Sequence, residues 1–231
     1  YRFEGKINQV ILEEKGPLQA VFCFKGAHIR DMECEMPFSI RMYLYCGSEE
    51  IRFEHTFLFD GVEERDFLKG MGICMEFKPA GELYNRHVLF ATDKMPFHEA
   101  AVMMRCNQPR TSDEVLQRQL QGEMLTFADG SVEAMAASDL PVWNHYHLHQ
   151  DSAYHYSISK RTKKECCELT CAQGKRAPGA MAVIGAAGGV LVGIGDFWQK
   201  YPSGLSVDGL GREVCRCTAW FYSPKSESYD F

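Results

Sequence analysis

The sequence predicts an all-β chain, a large antiparallel β-sandwich with at most one or two short helices. Three observations carry that expectation. Runs of alternating apolar and polar residues recur along the chain, most clearly in Phe38-Ser39-Ile40-Arg41-Met42-Tyr43-Leu44-Tyr45-Cys46, and a period of two marks a half-buried strand. Gly, Pro and Asp punctuate these runs at short intervals, as they do between hairpin strands. Aromatics make up 12% of the 231 residues, chiefly Phe and Tyr, side chains that suit a pleated surface.

The elements follow in order. Val10 to Glu14, a Lys15-Gly16-Pro17 turn and Leu18 to Lys25 read as a first hairpin. Phe38 to Cys46 and Ile51 to Phe59, joined by Gly47-Ser48-Glu49-Glu50, form a second and clearer one. Gly72 to Phe77 and Arg86 to Ala91 are further strands. Between Thr111 and Met124 the pattern changes: Ser112 suits a cap, Asp113 and Glu114 a first helical turn, and Val115, Leu116, Leu120 and Met124 share one face. Strand patterns resume at Val142 to His149, Tyr154 to Ser159, Glu168 to Ala172, Gly179 to Ile184 and Val190 to Ile194, and end at Glu213 to Tyr222. With no fixed-period repeat and no linker-like stretch, the chain reads as one domain.

Composition narrows the function classes. Apolar content of 45% and charged content of 24% are those of an ordinary globular chain. Net charge is −6, and the densest cationic run, Lys160-Arg161 with Lys163-Lys164, is short; nucleic-acid binding needs a more concentrated positive footprint. No stretch approaches the ~20 consecutive apolar residues of a membrane-spanning helix. Tyr1-Arg2-Phe3-Glu4 has no signal-peptide layout, and both ends read as cut from a longer protein. Ten cysteines show neither CxxC nor zinc-finger spacing. Cys23, Cys46 and Cys74 fall inside strand patterns as small hydrophobes, which favours reduced core thiols in a cytoplasmic protein over a disulfide framework.

Candidate chemistry is spread along the chain. His55 shares one strand face with Ile51, Phe53, Phe57 and Phe59, so it is either a hydrogen-bonded core residue or a base in an apolar cleft. His145, His147 and His149 alternate, which puts three imidazoles on one strand face about 6.5–7 Å apart. A solvated strand face is the favoured reading, and a metal site completed by Asp151 or His155 the lesser one. The glycines of 185–195 make neither GxGxxG nor GxxxxGK[ST], and GxSxG and HExxH are absent. No cofactor is expected. Cation-plus-aromatic clusters say more: Tyr84-Asn85-Arg86-His87, Lys175-Arg176, and Phe197-Trp198-Gln199-Lys200-Tyr201 all sit at strand ends. Indole and phenol rings lie flat against sugars, while Arg forks onto carboxylates.

Several stretches resemble the exo-rhamnogalacturonan lyase family (PcRGLX/YetA-like, polysaccharide lyase family 26). They are HTFLFDGVEERDFLKGMGI (55–73), GELYNRHVLFA (81–91), PVWNHYHLHQDSAYHYSISKRT (141–162), GKRAPGAMAV (174–183), GDFWQKYPSGLSVDGL (195–210) and TAWFYSPKSESYDF (218–231). They span nearly the whole chain in order. The resemblance implies a multidomain protein with an N-terminal β-barrel, a central supersandwich-like β-sandwich and a C-terminal α/α toroid, of which this chain looks like the central part.

The resemblance further implies β-elimination on rhamnogalacturonan-type pectin, at the bond from rhamnose to C4 of a galacturonate. Such chemistry needs a cation on the uronate carboxylate, a base for the C5 proton and an acid for the leaving oxygen. Within the resembling stretches, Arg86 and Arg176 are expected to bind carboxylate and Lys69 to add a second cation. His55 or His87 is the expected base, Tyr201 or Lys200 the acid, and Trp198 a stacking surface. The alternative is a non-catalytic carbohydrate-binding or bracing sandwich whose catalytic centre lies in other domains. The expected partners are an acidic polysaccharide or oligosaccharide and neighbouring domains of the same chain.

Overall fold

The computed structural model describes residues 4–30, 34–60, 64, 67–104, 113–127, 130 and 140–226. The chain divides into two compact units, residues 1–67 and residues 68–231.

The first unit is a four-stranded antiparallel meander: β1 (Glu4–Lys15), β2 (Gln19–Arg30), β3 (Cys34–Tyr45) and β4 (Ile51–Phe57). Register pairs like with like across the strands. Leu12, Phe22, Met42 and Phe53 make one cross-strand row, and Val10, Phe24, Ile40 and His55 the next. The opposite face carries the buried Val21 and Cys23 beside polar pairs, where Arg41 forks onto Glu13 at 2.7 and 3.1 Å and Tyr43 donates to Glu54 at 2.7 Å. The two hairpins read from the sequence are therefore real and share one sheet. His55 packs among rings, with centroids 6.0 Å from Phe38 and 5.9 Å from Phe57.

The second unit is a two-layer antiparallel sandwich. Its larger sheet has the order β10-β9-β8-β13-β14-β5, built from β5 (Met71–Phe77), β8 (His145–Ser152), β9 (His155–Arg161), β10 (Leu169–Gly174), β13 (Ser203–Asp208) and β14 (Cys215–Tyr222). The smaller has the order β12-β11-β6-β7, from β6 (His87–Phe90), β7 (Phe97–Ala100), β11 (Ala180–Gly185) and β12 (Gly188–Gly193). The glycine-rich stretch 185–195 thus makes a β-hairpin. Strands β7 and β13 were not legible as runs. The helix expected over 111–124 is α1 (Asp113–Leu120), two turns long; Ser112, its expected cap, lies outside the described residues.

The core sits between the two sheets. Tyr146, Leu148, Ile158, Leu205, Val207 and Cys217 face Val88, Phe90, Met181, Val183 and Val192, all nearly free of water contact. One ion pair crosses this layer. Lys160 of β9 meets Glu99 of β7 at 2.5 and 2.6 Å, Tyr146 donates to the same carboxylate at 3.1 Å, and the Lys160 ammonium lies 4.2 Å from the Trp143 ring centre. A buried charge pair persists only when its remaining valences are met, and here the phenol and the indole meet them.

Buried amides fix the connections. Gln119 of α1 accepts from the Met104 N–H at 2.9 Å and donates to the carbonyls of Tyr84 and Val102 at 2.7 and 2.9 Å. Asn85 exchanges two bonds with the backbone of Leu125. These amides replace a missing ladder around the small cluster of Tyr84, Val102, Met104 and Leu125. Nearby, His98 Nδ1–H donates to the Leu120 carbonyl at 2.9 Å, so its Nε2 must accept from His87 Nδ1–H at 2.9 Å. The His87 Nε2 is then a buried nitrogen with no hydrogen-bond partner among the described residues.

Two measurements test this framework. Gln119→Leu strands three backbone groups and is expected to lower unfolding free energy by about 2–4 kcal/mol in urea titrations; a loss within experimental error would show that α1 is not pinned through this amide. Burial, helped by the neighbouring His98, lowers the His87 pKa from its ordinary 6.5 to about 4. A depressed histidine contributes stability that is full above its unfolded pKa and is lost as pH falls toward the folded value. Stability should therefore decline between about pH 6.5 and pH 4, and less steeply in His87→Gln; identical pH profiles for the two proteins would contradict the pairing.

Candidate functional site

The alternation of β8 builds the site. Because Tyr146 and Leu148 enter the core, His145, His147 and His149 must project from the opposite face of the six-stranded sheet. Register then sets their neighbours. His145 lies between Arg161 of β9 and Asp208 of β13; His147 lies between Ser159 and Ser206; His149 lies between Ser157 and Gly204. Along β14, Thr218 extends the row of Ser206, and Trp220 the row of Gly204. One sheet face is thus written in imidazole, hydroxyl, carboxylate and guanidinium.

A cavity of about 360 Å³ opens on this face, with His145, His147, Arg161, Glu168, Asp208 and Lys225 among its walls. Lys164, Trp220 and Pro224 complete the lining that matters chemically. The segment after β14 closes one side. Its Ser223 N–H bonds Pro202 O at 2.9 Å, and Lys225 reaches back to Ser159 Oγ at 2.7 Å and to the Glu168 carboxylate. Arg161 lies 3.6 Å from the other Glu168 oxygen. Burial alone would raise the Glu168 carboxyl. The Lys225 hydrogen bond and charge, with Ser159 and Arg161, outweigh it and hold Glu168 below the usual carboxylate range.

The imidazoles differ from one another. Asp208 Oδ1 accepts from His145 Nδ1 at 2.6 Å, which fixes the tautomer and leaves Nε2 as the lone-pair nitrogen. Among the described residues that Nε2 has no hydrogen-bond partner, and it is shielded from water, an unmet valence worth about 1–3 kcal/mol to any group that satisfies it. His147 lies across Gly204, where an added Cβ would stand 2.7 Å from its Nε2, and Ser223 Oγ is 3.4 Å from the same nitrogen. Burial first, then the charges of Lys225, His149 and Arg161, pushes its pKa well below 6.5. Burial also lowers His149. At neutral pH these two rings are uncharged. The positive charge of the cavity comes from Arg161, Lys164 and Lys225, set against Glu168 and Asp208.

A solvated face was the favoured reading of the three histidines, and the structure corrects it: His145 and His149 are 5% and 7% exposed. Metal binding fares no better. Among the described residues no group of three or more His, Cys, Asp or Glu is placed to hold an ion, and the His147 and His149 rings stand edge-on, with centroids 6.0 Å apart.

The residues singled out from sequence do not form one cluster. Arg176 and Trp198 do meet, with the guanidinium carbon 4.2 Å from the indole centre and 4.7 Å from that of Tyr154. Lys200 pairs with Asp196 at 3.2 Å and Tyr201 is exposed, both close to Trp198 in the chain. Arg86, by contrast, spends its guanidinium on the carbonyls of Gly81 and Arg212, at 2.9 and 2.7 Å. His87 is buried between β7 and β11, paired with His98. Lys69 donates to Ser226 O at 3.4 Å, beside Lys225. His55 belongs to the first unit. The cavity residues Asp208, Glu168, Trp220 and Lys225 went unread, and Arg161 was noted only as part of a cationic run. The one available signal was the Lys160-Arg161 pair, in which alternation sends Lys160 inward and Arg161 outward.

Comparison with known proteins agrees with this architecture. The family model described as PcRGLX-like protein central β-sandwich domain matches residues 1–231. The chain is also 35% identical over 227 residues to the uncharacterized protein YetA of Bacillus subtilis (strain 168), an alignment covering 97% of this chain and 26% of that protein. The chain therefore spans about a quarter of the length of the curated relative it matches. All-β pairing, the two-layer sandwich and a match from end to end agree: this chain belongs to the PcRGLX-like family, as its central β-sandwich domain.

Proposed function

We propose that this domain holds an acidic sugar in the histidine-lined cavity, as part of a lyase that cleaves rhamnogalacturonan-type pectin by β-elimination at a galacturonate. The observation that carries the reading is the cavity's composition: Arg161, Lys164 and Lys225 gathered around a tautomer-fixed imidazole, with an indole in the wall. Cations of this kind neutralise a uronate carboxylate and so acidify the C5 proton beside it. Trp220, whose Nε1–H donates to Ser206 Oγ at 2.9 Å, offers a ring fixed in place for the apolar face of a sugar.

Each step of the elimination then has a residue. Lys225 and Arg161 bind the carboxylate. Once the wall that shields it opens, His145 Nε2 takes the C5 proton, with Asp208 stabilising the imidazolium that forms. The C4–O bond breaks as the C4–C5 double bond forms, and the departing oxygen takes a proton from the Lys164 ammonium. Asp208 and His145 form the pair in which a base is oriented by a second group, and His145 keeps an unoccupied nitrogen.

A non-catalytic reading has its own support, since the chain spans only 26% of its curated relative; in that case the same cavity grips sugar while another domain performs the chemistry. Turnover separates the two. In a full-length family member carrying this domain, His145→Ala is expected to lower kcat by about 10²- to 10⁴-fold, the range of a lost general base, followed by ultraviolet absorbance of the unsaturated product. Lys225→Met is expected to raise KM for an acidic substrate. Unchanged kcat in His145→Ala together with a raised KM in Lys225→Met would leave the cavity as a binding site alone, and unchanged kinetics in both would remove it from function.

A further inference from the structure

We infer that Arg176 forms a second carboxylate-binding point, separate from the cavity, which engages a neighbouring uronate of the same acidic chain; this rests on the acidic-sugar reading of the cavity. Arg176 differs from six other described arginines in what surrounds it. Arg41, Arg52, Arg118, Arg161 and Arg216 each meet a carboxylate, and Arg86 is consumed by two carbonyls. Arg176 instead lies over the rings of Tyr154 and Trp198, and among the described residues its only hydrogen bond is from Nε to Ala153 O at 3.3 Å. Within that same set, both terminal nitrogens of its fork keep their N–H groups unspent. A guanidinium held by two rings and left without a counter-charge is pre-organised to receive a carboxylate in bidentate fashion.

The loops that carry these groups are pinned from below. Gln150, with no water contact, donates to the carbonyls of Ser152, His155 and Lys175 at 2.7, 3.1 and 2.8 Å and accepts from the Ala177 N–H at 3.0 Å. One side chain therefore locks the β8–β9 turn, which bears Tyr154, to the segment that bears Arg176. Trp198 is placed by its neighbour Phe197, which is 1% exposed and whose carbonyl accepts from Ser203 Oγ at 2.7 Å. Gly179, at φ +82°, lets the Phe197 side chain approach, since an added Cβ would come within 2.2 Å of its Cβ and 2.5 Å of its Cγ. So much buried hydrogen bonding beneath an exposed, unpaired arginine fixes its position, and position is what recognition of a planar anion requires.

Position also sets the ligand's length. Gln150, which anchors the Arg176 segment, lies five residues along β8 from His145, about 17 Å at the rise of a strand, so the ligand inferred is a chain of several sugars rather than one. Trp198 here takes a different part from the sugar-stacking one its sequence suggests. Its ring is a seat for the guanidinium, whereas the 68%-exposed ring of Tyr154 and the 49%-exposed ring of Tyr201 are the surfaces open to a sugar face.

Isothermal titration of the chain with galacturonate and with rhamnogalacturonan-type oligomers of increasing length tests this. The wild-type chain is expected to bind long oligomers more tightly than the monomer. Arg176→Gln is expected to lose about tenfold or more in affinity for long oligomers, the scale of a forked charge-assisted bond, with monomer binding unchanged. Arg176→Lys is expected to recover little, because an ammonium cannot fork. Lys225→Met weakens monomer and oligomer alike. Wild-type affinity of Arg176→Gln for long oligomers would overturn the inference while leaving the cavity intact. No binding of any of these sugars by the wild-type chain would overturn the acidic-sugar reading and this inference with it. Tyr154→Leu, which leaves the Gln150 bonds in place, gives an independent check by the same length-selective loss.

Discussion

Everything on the functional face follows from one constraint, the two-residue period of β8. Tyr146 and Leu148 are committed to the core between the two sheets, and a strand that buries alternate residues has no choice about the others. The imidazoles of His145, His147 and His149 are therefore fixed on the opposite face by apolar burial several ångströms away. The same applies on β9, where Ile158 goes inward and Ser159 and Arg161 outward, and on β13, where Leu205 and Val207 go inward and Ser206 and Asp208 outward. Three neighbouring strands in fixed register turn the alternation into a surface. A slip of one residue in any of them would bury charge and expose the core together.

Polar groups do the remaining positioning, and they do it where regular structure stops. Gln150, Gln119 and Asn85 are all nearly water-free, and each bonds backbone groups that no ladder reaches. Removing such an amide costs more than its own bonds contribute, because the partners remain buried and unpaired. Glu99 and Lys160 play the same part between the sheets. Among the described residues, buried nitrogens of His28, His87, His145 and His149 lack a hydrogen-bond partner. That of His87 is enclosed by the fold, whereas His145 lines a cavity with three cations, which is where an unmet acceptor has chemical use.

Legibility from sequence followed the range of the interactions. The hairpins Phe38–Cys46 and Ile51–Phe59 were clear because alternation and a turn are local properties. Strand β7 was hidden by its length of four residues, and β13 by the near absence of alternation in burial, since Ser203 through Val207 are all buried. The order of the large sheet, in which β13 lies between β8 and β14, is not local at all, and with it went Asp208 as the partner of His145. Lys225 was missed for a related reason: it follows the last strand and reaches the site only because the chain folds back across the sheet. Arg176 and Trp198 meet because loops at one end of a sandwich converge, but Arg86 and Arg176 look equivalent in sequence, and only their hydrogen bonds among the described residues distinguish them.

The central claim is that an acidic sugar enters the cavity beside His145. Long-range ¹H–¹⁵N correlation spectra of the imidazole side chains, recorded while galacturonate is added, report on it without reference to turnover. The His145 Nδ1–H is expected to face Asp208 before addition, and its Nε2 resonance is expected to shift most on addition, followed by that of His147, with the His87 and His98 resonances unmoved. Saturable shifts confined to other histidines, with His145 unchanged, would contradict it.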